Sequence, residues 1–410
     1  MMTIKMKKAI VIGAGVAGVA SAYMLCKAGF AVTLLDEKNA PAMGSSHQNG
    51  AQLSYAYCDA LASPSLLAQL PSILLKKDPA YRCTLQADPD FLAWGVRFLI
   101  NSTPARFSNN TLALSRIAIR SHTLLLELLE KHPIEFDYDV NGKMLLYPTL
   151  ESCQKYTKIL EQKRKHGFKL SVLTREEATV IEPALAHYPD PIAAVAYSPG
   201  DAVGRPDAFC QKLVESLQRE YGLKTLFNQK VQRIDHAKNR VTGVCFRDSA
   251  PLSCDTLVIT TGQSCDLLPS KDRSLGDMWP VQGYSFTTRA HQQAMQTSIT
   301  DVKRKLVFAP LGNELRVAGL ADIGRHRFHF AANRCDTLMQ TARAAFPLFF
   351  SEDQGPPKRV WSGARYVTPS SQPIIRRGSL AGLYLNLGHG TLGWTLSLGA
   401  AEQVTSLINS

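Results

Sequence analysis

The sequence predicts an α/β fold. It is a Rossmann-like parallel-sheet domain with a mixed-sheet α+β domain inserted into it. Three observations lead there. The first 35 residues read as strand, glycine turn, helix and strand. A second strand, Val258-Ile259, runs into a turn at Gly262. A third, at Leu385-Asn386-Leu387, runs through a glycine-rich turn into the last helix. Nucleotide-fold signals at both ends of the chain make the middle an insertion, not an appendage.

The elements follow in order. Residues 7–12 form a short buried strand, an Ala-rich helix reaches about Ala28, Gly29 ends it, and residues 31–35 are apolar again. Strand–helix–strand at this length is a βαβ unit, which implies parallel pairing. Residues 40–60, rich in Gly, Ser, Asn and Tyr, read as a functional loop. Residues 61–101 are apolar but broken by Pro64, Pro71 and Pro79. An amphipathic helix is expected at 112–131, a hairpin at 137–147 around Asn141-Gly142, and helices at 150–166 and 176–184. A strand at 193–197 precedes a helix at 206–221 that opens on a tolerated proline. Strands are expected at 225–227, 231–235, 241–246, 256–260, 284–288, 305–309, 314–319 and 383–387. These elements suggest one domain from residues 1–60, 150–280 and 350–410, and a substrate domain from 61–149 and 281–349.

The 410 residues are 45% hydrophobic and 20% charged, an ordinary globular balance. No apolar run is long enough to span a bilayer. Residues 1–8 hold no apolar segment of their own, so no cleaved leader is expected. The net charge of +12 suits an anionic surface or substrate as well as simple solubility. Nine scattered cysteines without a C-x-x-C pair suggest reduced thiols in a cytoplasmic chain. No His/Cys cluster has metal-ligand spacing, and no Gly-x-Ser-x-Gly elbow occurs.

The strongest motif is Gly13-Ala14-Gly15-Val16-Ala17-Gly18. Gly13 permits the turn, Gly15 lets a diphosphate approach the backbone, and Gly18 lets helix and strand pack closely. The helix N-terminus then faces the anion. Asp36, at the end of the second strand, is placed to bind ribose hydroxyls, with Glu37 and Lys38 beside it. The motif alone does not choose between NAD and FAD. A second helix N-terminus after Gly388-His389-Gly390-Thr391-Leu392-Gly393 suits a flavin, because its amides can stabilise negative charge on the reduced ring.

These residues carry a resemblance. The chain resembles the D-amino-acid oxidase superfamily, and within it the bacterial D-amino-acid dehydrogenase (small subunit) type. Its carriers are the opening glycine motif, residues 46–54, Pro280-Val281-Gln282-Gly283-Tyr284-Ser285, Trp361-Ser362-Gly363-Ala364-Arg365, and residues 388–395. The resemblance implies an FAD-binding domain, with Ser45, Ser46, Asn49, Gln52 and Leu53 lining the diphosphate and the isoalloxazine ring. It implies that Val231 contacts the adenine side and that Gly262 turns beside the cofactor. It also implies that Arg365 binds a substrate carboxylate, for which a planar guanidinium is suited. Tyr366 stands where the family has proline, Ser370-Ser371 where the dehydrogenases have Asp-Gly, and Arg376 where they have glycine, which leaves side-chain specificity open. Tyr284, Tyr55 and Tyr57 are pocket candidates. Asp322 matches a family acid and reads as structural.

The implied reaction is oxidative deamination of a D-amino acid, with hydride transfer to flavin N5 and no protein base. Electrons then pass to a quinone or other acceptor, with peripheral contact at the inner face of the cytoplasmic membrane and no nucleic-acid partner. A glycine, sarcosine or cyclic imino acid oxidase, a flavoprotein acting on tRNA, and a non-catalytic flavin binder remain as alternatives.

Overall fold

The computed structural model describes residues 6–165, 167–290, 295–324, 331–350 and 357–410. A six-stranded sheet has the order Ile374–Arg377, Leu383–Leu387, Thr256–Ile259, Lys8–Ile12, Ala31–Leu35, Lys224–Leu226. All neighbours are parallel except the edge strand Ile374–Arg377. The period-2 alternation of the central strand divides the core. Ala9 and Val11 face the helices Val16–Lys27, Pro104–Lys131 and Gly393–Asn409. Ile10 and Ile12 face the small sheet of Val231–Ala237, Arg240–Phe246 and Leu252–Ser253. Such a strand is buried on both faces, which explains its unbroken apolar run.

A larger mixed sheet supplies the second layer. Its order is Arg359–Val367, Trp279–Arg289, Glu314–Ile323, Leu306–Leu311, Ser298–Asp301, Lys143–Tyr147, Ala194–Ser198, Ser171–Leu173, with Tyr81–Cys83 beside Glu314–Ile323. Helix Ala332–Ala345 packs on one face through Leu338 and Ala342, against Phe286, Phe308 and Val317.

One expectation changes. The hairpin at 137–147 does not form. Gly142 turns at φ +74°, but Lys143–Tyr147 pairs with Ala194–Ser198 and Ser298–Asp301, while Asp139 bridges to Val203. The fully buried strand Lys143–Tyr147 needs a partner on each side, and a local hairpin would give it only one. Ser171–Leu173, Ala194–Ser198 and Arg359–Val367 belong to the large sheet.

Of the prolines expected to break residues 61–101, Pro64 opens helix Pro64–Leu74 and Pro71 lies inside it, and Pro89 opens the next helix. Pro64 and Pro89 each sit in a first turn, capped by Ser63 and Asp88 through the N–H groups of Leu66 and Phe91. The helix expected to end at His166 is described to Lys165, and His166 lies outside the described residues.

Candidate active site

The opening glycine turn is built by backbone proximity. Gly13 has φ +102°, and a methyl group on Gly18 would lie 1.7 Å from the Gly13 carbonyl oxygen. Helix and strand can approach this closely only without side chains there. Gly15 is the N-cap of helix Val16–Lys27, which has no side-chain cap and no acid in its first turn. The Val16 N–H donates to Ser46 Oγ at 3.2 Å. Buried Ala17 continues the same first turn. An uncapped helix N-terminus behind a glycine cradle fits a diphosphate.

Asp36 closes this cradle. Its carboxylate accepts from the Ala14 N–H at 2.7 Å and the Lys38 N–H at 2.9 Å, while Glu37 and Lys38 are exposed. Val231 is buried among Ile12, Leu35 and Ile259, next to the segment whose Gln229 N–H donates to the Asp36 carbonyl. The expected adenosine residues are therefore brought together.

The last turn stands beside the first. A methyl group on Gly393 would be 4.0 Å from Val16 Cγ2, so two helix N-termini start side by side. Gly388 (φ +72°) and Gly390 (φ +55°) shape this turn, with Thr391 exposed and Leu392 half-buried at its mouth. His389 is buried, and loss of hydration pushes its imidazole down to about 4. It is neutral at physiological pH, and its Nε2 has no partner among the described residues. Gly262 supports the same edge, where the Tyr366 ring occupies the space a side chain would need.

Side-chain hydrogen bonds along residues 45–54 join this cradle to the large sheet. Ser45 Oγ donates to the Ala364 carbonyl, Ser285 Oγ to the Gln48 carbonyl (2.5 Å), Arg316 Nη1 to the Asn49 carbonyl (3.2 Å) and Lys143 Nζ to Gln52 Oε1 (2.9 Å). The Asn49 side chain accepts from the Ala51 N–H at 2.8 Å and holds the turn. Leu53 is buried in the core beneath the loop.

Arg365 follows Ala364, whose carbonyl accepts from Ser45 Oγ. It pairs with Val281 across the sheet, so it projects on the face of Val281, Gly283 and Ser285. Its guanidinium lies over Gly283, where a methyl group would be 1.9 Å from Nη2. The group is half-buried, and loss of hydration lowers its pKa, opposed by Tyr81. Among the described residues no carboxylate comes within ion-pair distance of it. A desolvated guanidinium without an acid partner is suited to bind a carboxylate from outside.

The tyrosines are not brought to Arg365. Tyr284 is one residue beyond Gly283 and so projects on the opposite face, under helix Ala332–Ala345. Its hydroxyl donates to Asp322 Oδ2 at 2.8 Å, and Asp322 in turn pairs with Arg334 at 2.8 Å. Tyr55 is buried and stacks on His122 at 4.4 Å. Tyr57 lies between the ammonium groups of Lys143 and Lys163, 5.8 and 5.6 Å from its ring. Sequence reasoning also missed Lys143 and Tyr81. Nothing in a single sequence marks a lysine as buried or places Tyr81 near Arg365, because both depend on pairing between distant segments.

Two adjoining helix N-termini, one behind a glycine turn closed by Asp36, fit a dinucleotide cofactor. A family model described as FAD dependent oxidoreductase (DAO) matches residues 8–407, and the chain belongs to that family, with FAD as its cofactor. It is 34% identical over 408 residues to a D-amino acid dehydrogenase of Paramagnetospirillum magneticum, covering 98% of this chain and 95% of the relative. It is 31% identical to D-amino acid dehydrogenase 2 of Ralstonia nicotianae, covering 97% and 95%. Among solved structures, glycine oxidase from Bacillus cereus superposes with TM-score 0.72 at 18% identity, covering 98% of this chain and 95% of that one. L-proline dehydrogenase from P. horikoshii gives 0.72 at 18%, covering 98% and 93%. These two support the fold alone.

Proposed function

We propose that the protein oxidises the Cα–N bond of a D-amino acid, giving the 2-keto acid and ammonia, and delivers the electrons to a quinone or other acceptor. The carrying observation is the acid-free guanidinium of Arg365 beside residues 45–54. Relatives at 30–34% identity named D-amino acid dehydrogenase support the same substrate class. Bound FAD supplies a two-electron acceptor for the α-hydrogen, and the resulting imine hydrolyses in water.

The chain's own residues bind and orient. Arg365 holds the carboxylate and so fixes the α C–H towards the ring. Gly13, Gly15 and Gly18 hold the diphosphate, Asp36 the ribose, and the turn 388–393 the pyrimidine edge of the flavin. The six-stranded sheet with its helices forms the FAD-binding part, and the large sheet forms the substrate part. No side chain is needed as a base if the amine arrives neutral.

The test is anaerobic mixing of purified protein with a panel of D- and L-amino acids, glycine, sarcosine and proline while flavin absorbance is followed. Bleaching by D-amino acids first is the expected result. Faster bleaching by glycine, sarcosine or proline would make the protein an oxidase of those amines instead.

We further propose contact with an anionic membrane surface. No helix among the described residues is long and apolar enough to cross a membrane. However, Leu74, Leu75, Leu85, Leu92, Val96 and Ile100 are all exposed within one stretch of helices, among Lys76, Lys77 and Arg97. Apolar side chains interspersed with cations suit the headgroup boundary. Flotation with anionic vesicles should carry the protein upward at low salt and less of it at high salt. A protein that stays at the bottom at every salt concentration, and that reduces oxygen faster than a quinone analogue, is a soluble oxidase.

A further inference from the structure

Where strand Lys143–Tyr147 begins, a lysine is enclosed by protein, with only 7% of its surface exposed. Its Nζ donates to Gln52 Oε1 at 2.9 Å and Ser54 Oγ at 2.7 Å. An ammonium can only donate, so it fixes the Gln52 amide with oxygen towards Lys143 and Nε2 towards Ser298 Oγ. The Ser54 N–H donates to Thr395 Oγ1 at 3.1 Å, in the first turn of helix Gly393–Asn409. Lys143 is therefore wedged under residues 52–54, one link from the helix N-terminus beside the glycine cradle.

Both hydrogen-bond partners are neutral. Among the described residues no carboxylate is within ion-pair distance of Nζ. The nearby charged groups are Asp201, Asp59 and Lys163, and Lys163 is engaged by Asp59 at 2.7 Å. Burial pushes the Lys143 ammonium down to about 8, so it stays largely charged at neutral pH. Burial likewise pushes the Asp201 carboxyl up to about 6, with Lys143 opposing. A cation held by neutral dipoles is poorly compensated, and negative charge arriving nearby would stabilise it.

We infer that Lys143 is a positioning residue for the flavin: it holds Gln52 and Ser54 against the ring and favours the negative charge the ring gains on reduction. The inference rests on the proposed function and on the expectation that Gln52 and Leu53 are among the residues lining the diphosphate and the isoalloxazine. The charge balance is simple. In that reading the α hydrogen would leave together with the C–H electron pair, as a hydride, to the bound flavin, which would gain one negative charge. The amine lone pair forms the C=N bond, and the substrate becomes a cationic iminium.

The experiment compares wild type, Lys143→Met and Lys143→Arg as holoproteins. FAD content is measured first. Sulfite affinity is then read from bleaching of the visible flavin band, and the two-electron potential from equilibration with a reference dye. Sulfite leaves a negative charge on the ring and so reports its electrostatic surroundings without turnover. Lys143→Met should weaken sulfite binding roughly tenfold, as expected for loss of a nearby partly screened charge. The equivalent fall in potential is about 30 mV for a two-electron couple. Lys143→Arg should stay near wild type. A Lys143→Met protein with wild-type sulfite affinity and potential overturns the inference. If that variant does not retain FAD, Asp201→Asn decides, because it leaves Lys143 in place and removes a countercharge. A raised potential and tighter sulfite binding support the inference, and unchanged values overturn it. Wild-type protein without FAD would overturn the functional reading itself, and this inference with it.

Discussion

Arg365→Ala should lower kcat/KM for the amino acid by roughly 30-fold to several thousandfold while FAD content is unchanged. The guanidinium has no acid among the described residues to neutralise it, and in the proposed reading its partner comes from the substrate. A charge-assisted bidentate contact that also orients the reacting carbon contributes roughly 2–5 kcal/mol to the transition state. Arg365→Lys should recover only part of the loss. A lysine restores the charge but not the planar fork, and it cannot lie flat over Gly283. Steady-state kinetics on both variants, with flavin content measured in parallel, check this. An alanine variant with wild-type kcat/KM would remove Arg365 from the substrate site.

Gly18→Ala should abolish FAD retention and lower the melting temperature. The added methyl group would meet the Gly13 carbonyl oxygen at 1.7 Å and Thr260 Oγ1 at 2.8 Å. The first neighbour is backbone and cannot rotate away, so the turn must open. Overpacking of this kind costs roughly 1–3 kcal/mol, and a backbone neighbour places it at the upper end. Gly15→Ala is the informative contrast. Its methyl would meet only Ser46 Oγ, at 3.2 Å, so the fold should survive while the diphosphate is crowded. Melting temperature separates the two, and flavin released by acid precipitation, measured against protein, reports the FAD loss expected of both. A Gly18→Ala protein with full FAD and unaltered melting would show that the close approach is not needed.

How much of this was legible in the sequence depended on how local each signal is. The glycine turn, the helix Pro206–Tyr221 and the strand Leu383–Leu387 were read directly, because caps, periodicity and glycine spacing lie within a few residues of one another. The family resemblance extended that reading along the chain. What failed depended on pairing between distant segments. Tyr284 and Arg365 both looked like pocket residues, yet their faces are set by the Val281–Arg365 register between strands far apart in sequence. A shift of one residue in that register would reverse the assignment. Strand Ser298–Asp301 was missed for the same reason. It is short, and its place is set by the neighbours Lys143–Tyr147 and Leu306–Leu311. Asn141-Gly142 did mark a turn, but a turn signal cannot say which strand the chain will meet next.

The hydrogen bonds from residues 45–54 to the large sheet have a mechanical meaning. In chain order this segment follows the dinucleotide motif, but it is fastened to the other layer through Ala364, Ser285, Arg316 and Lys143. It behaves as a strap crossing the seam between the two layers. A cofactor gripped by the glycine cradle at one end and lying along the strap at the other would act as a rivet through both. Loading it should therefore come late in folding, after the large sheet has closed, and a loaded molecule could not part its layers without first letting the flavin go.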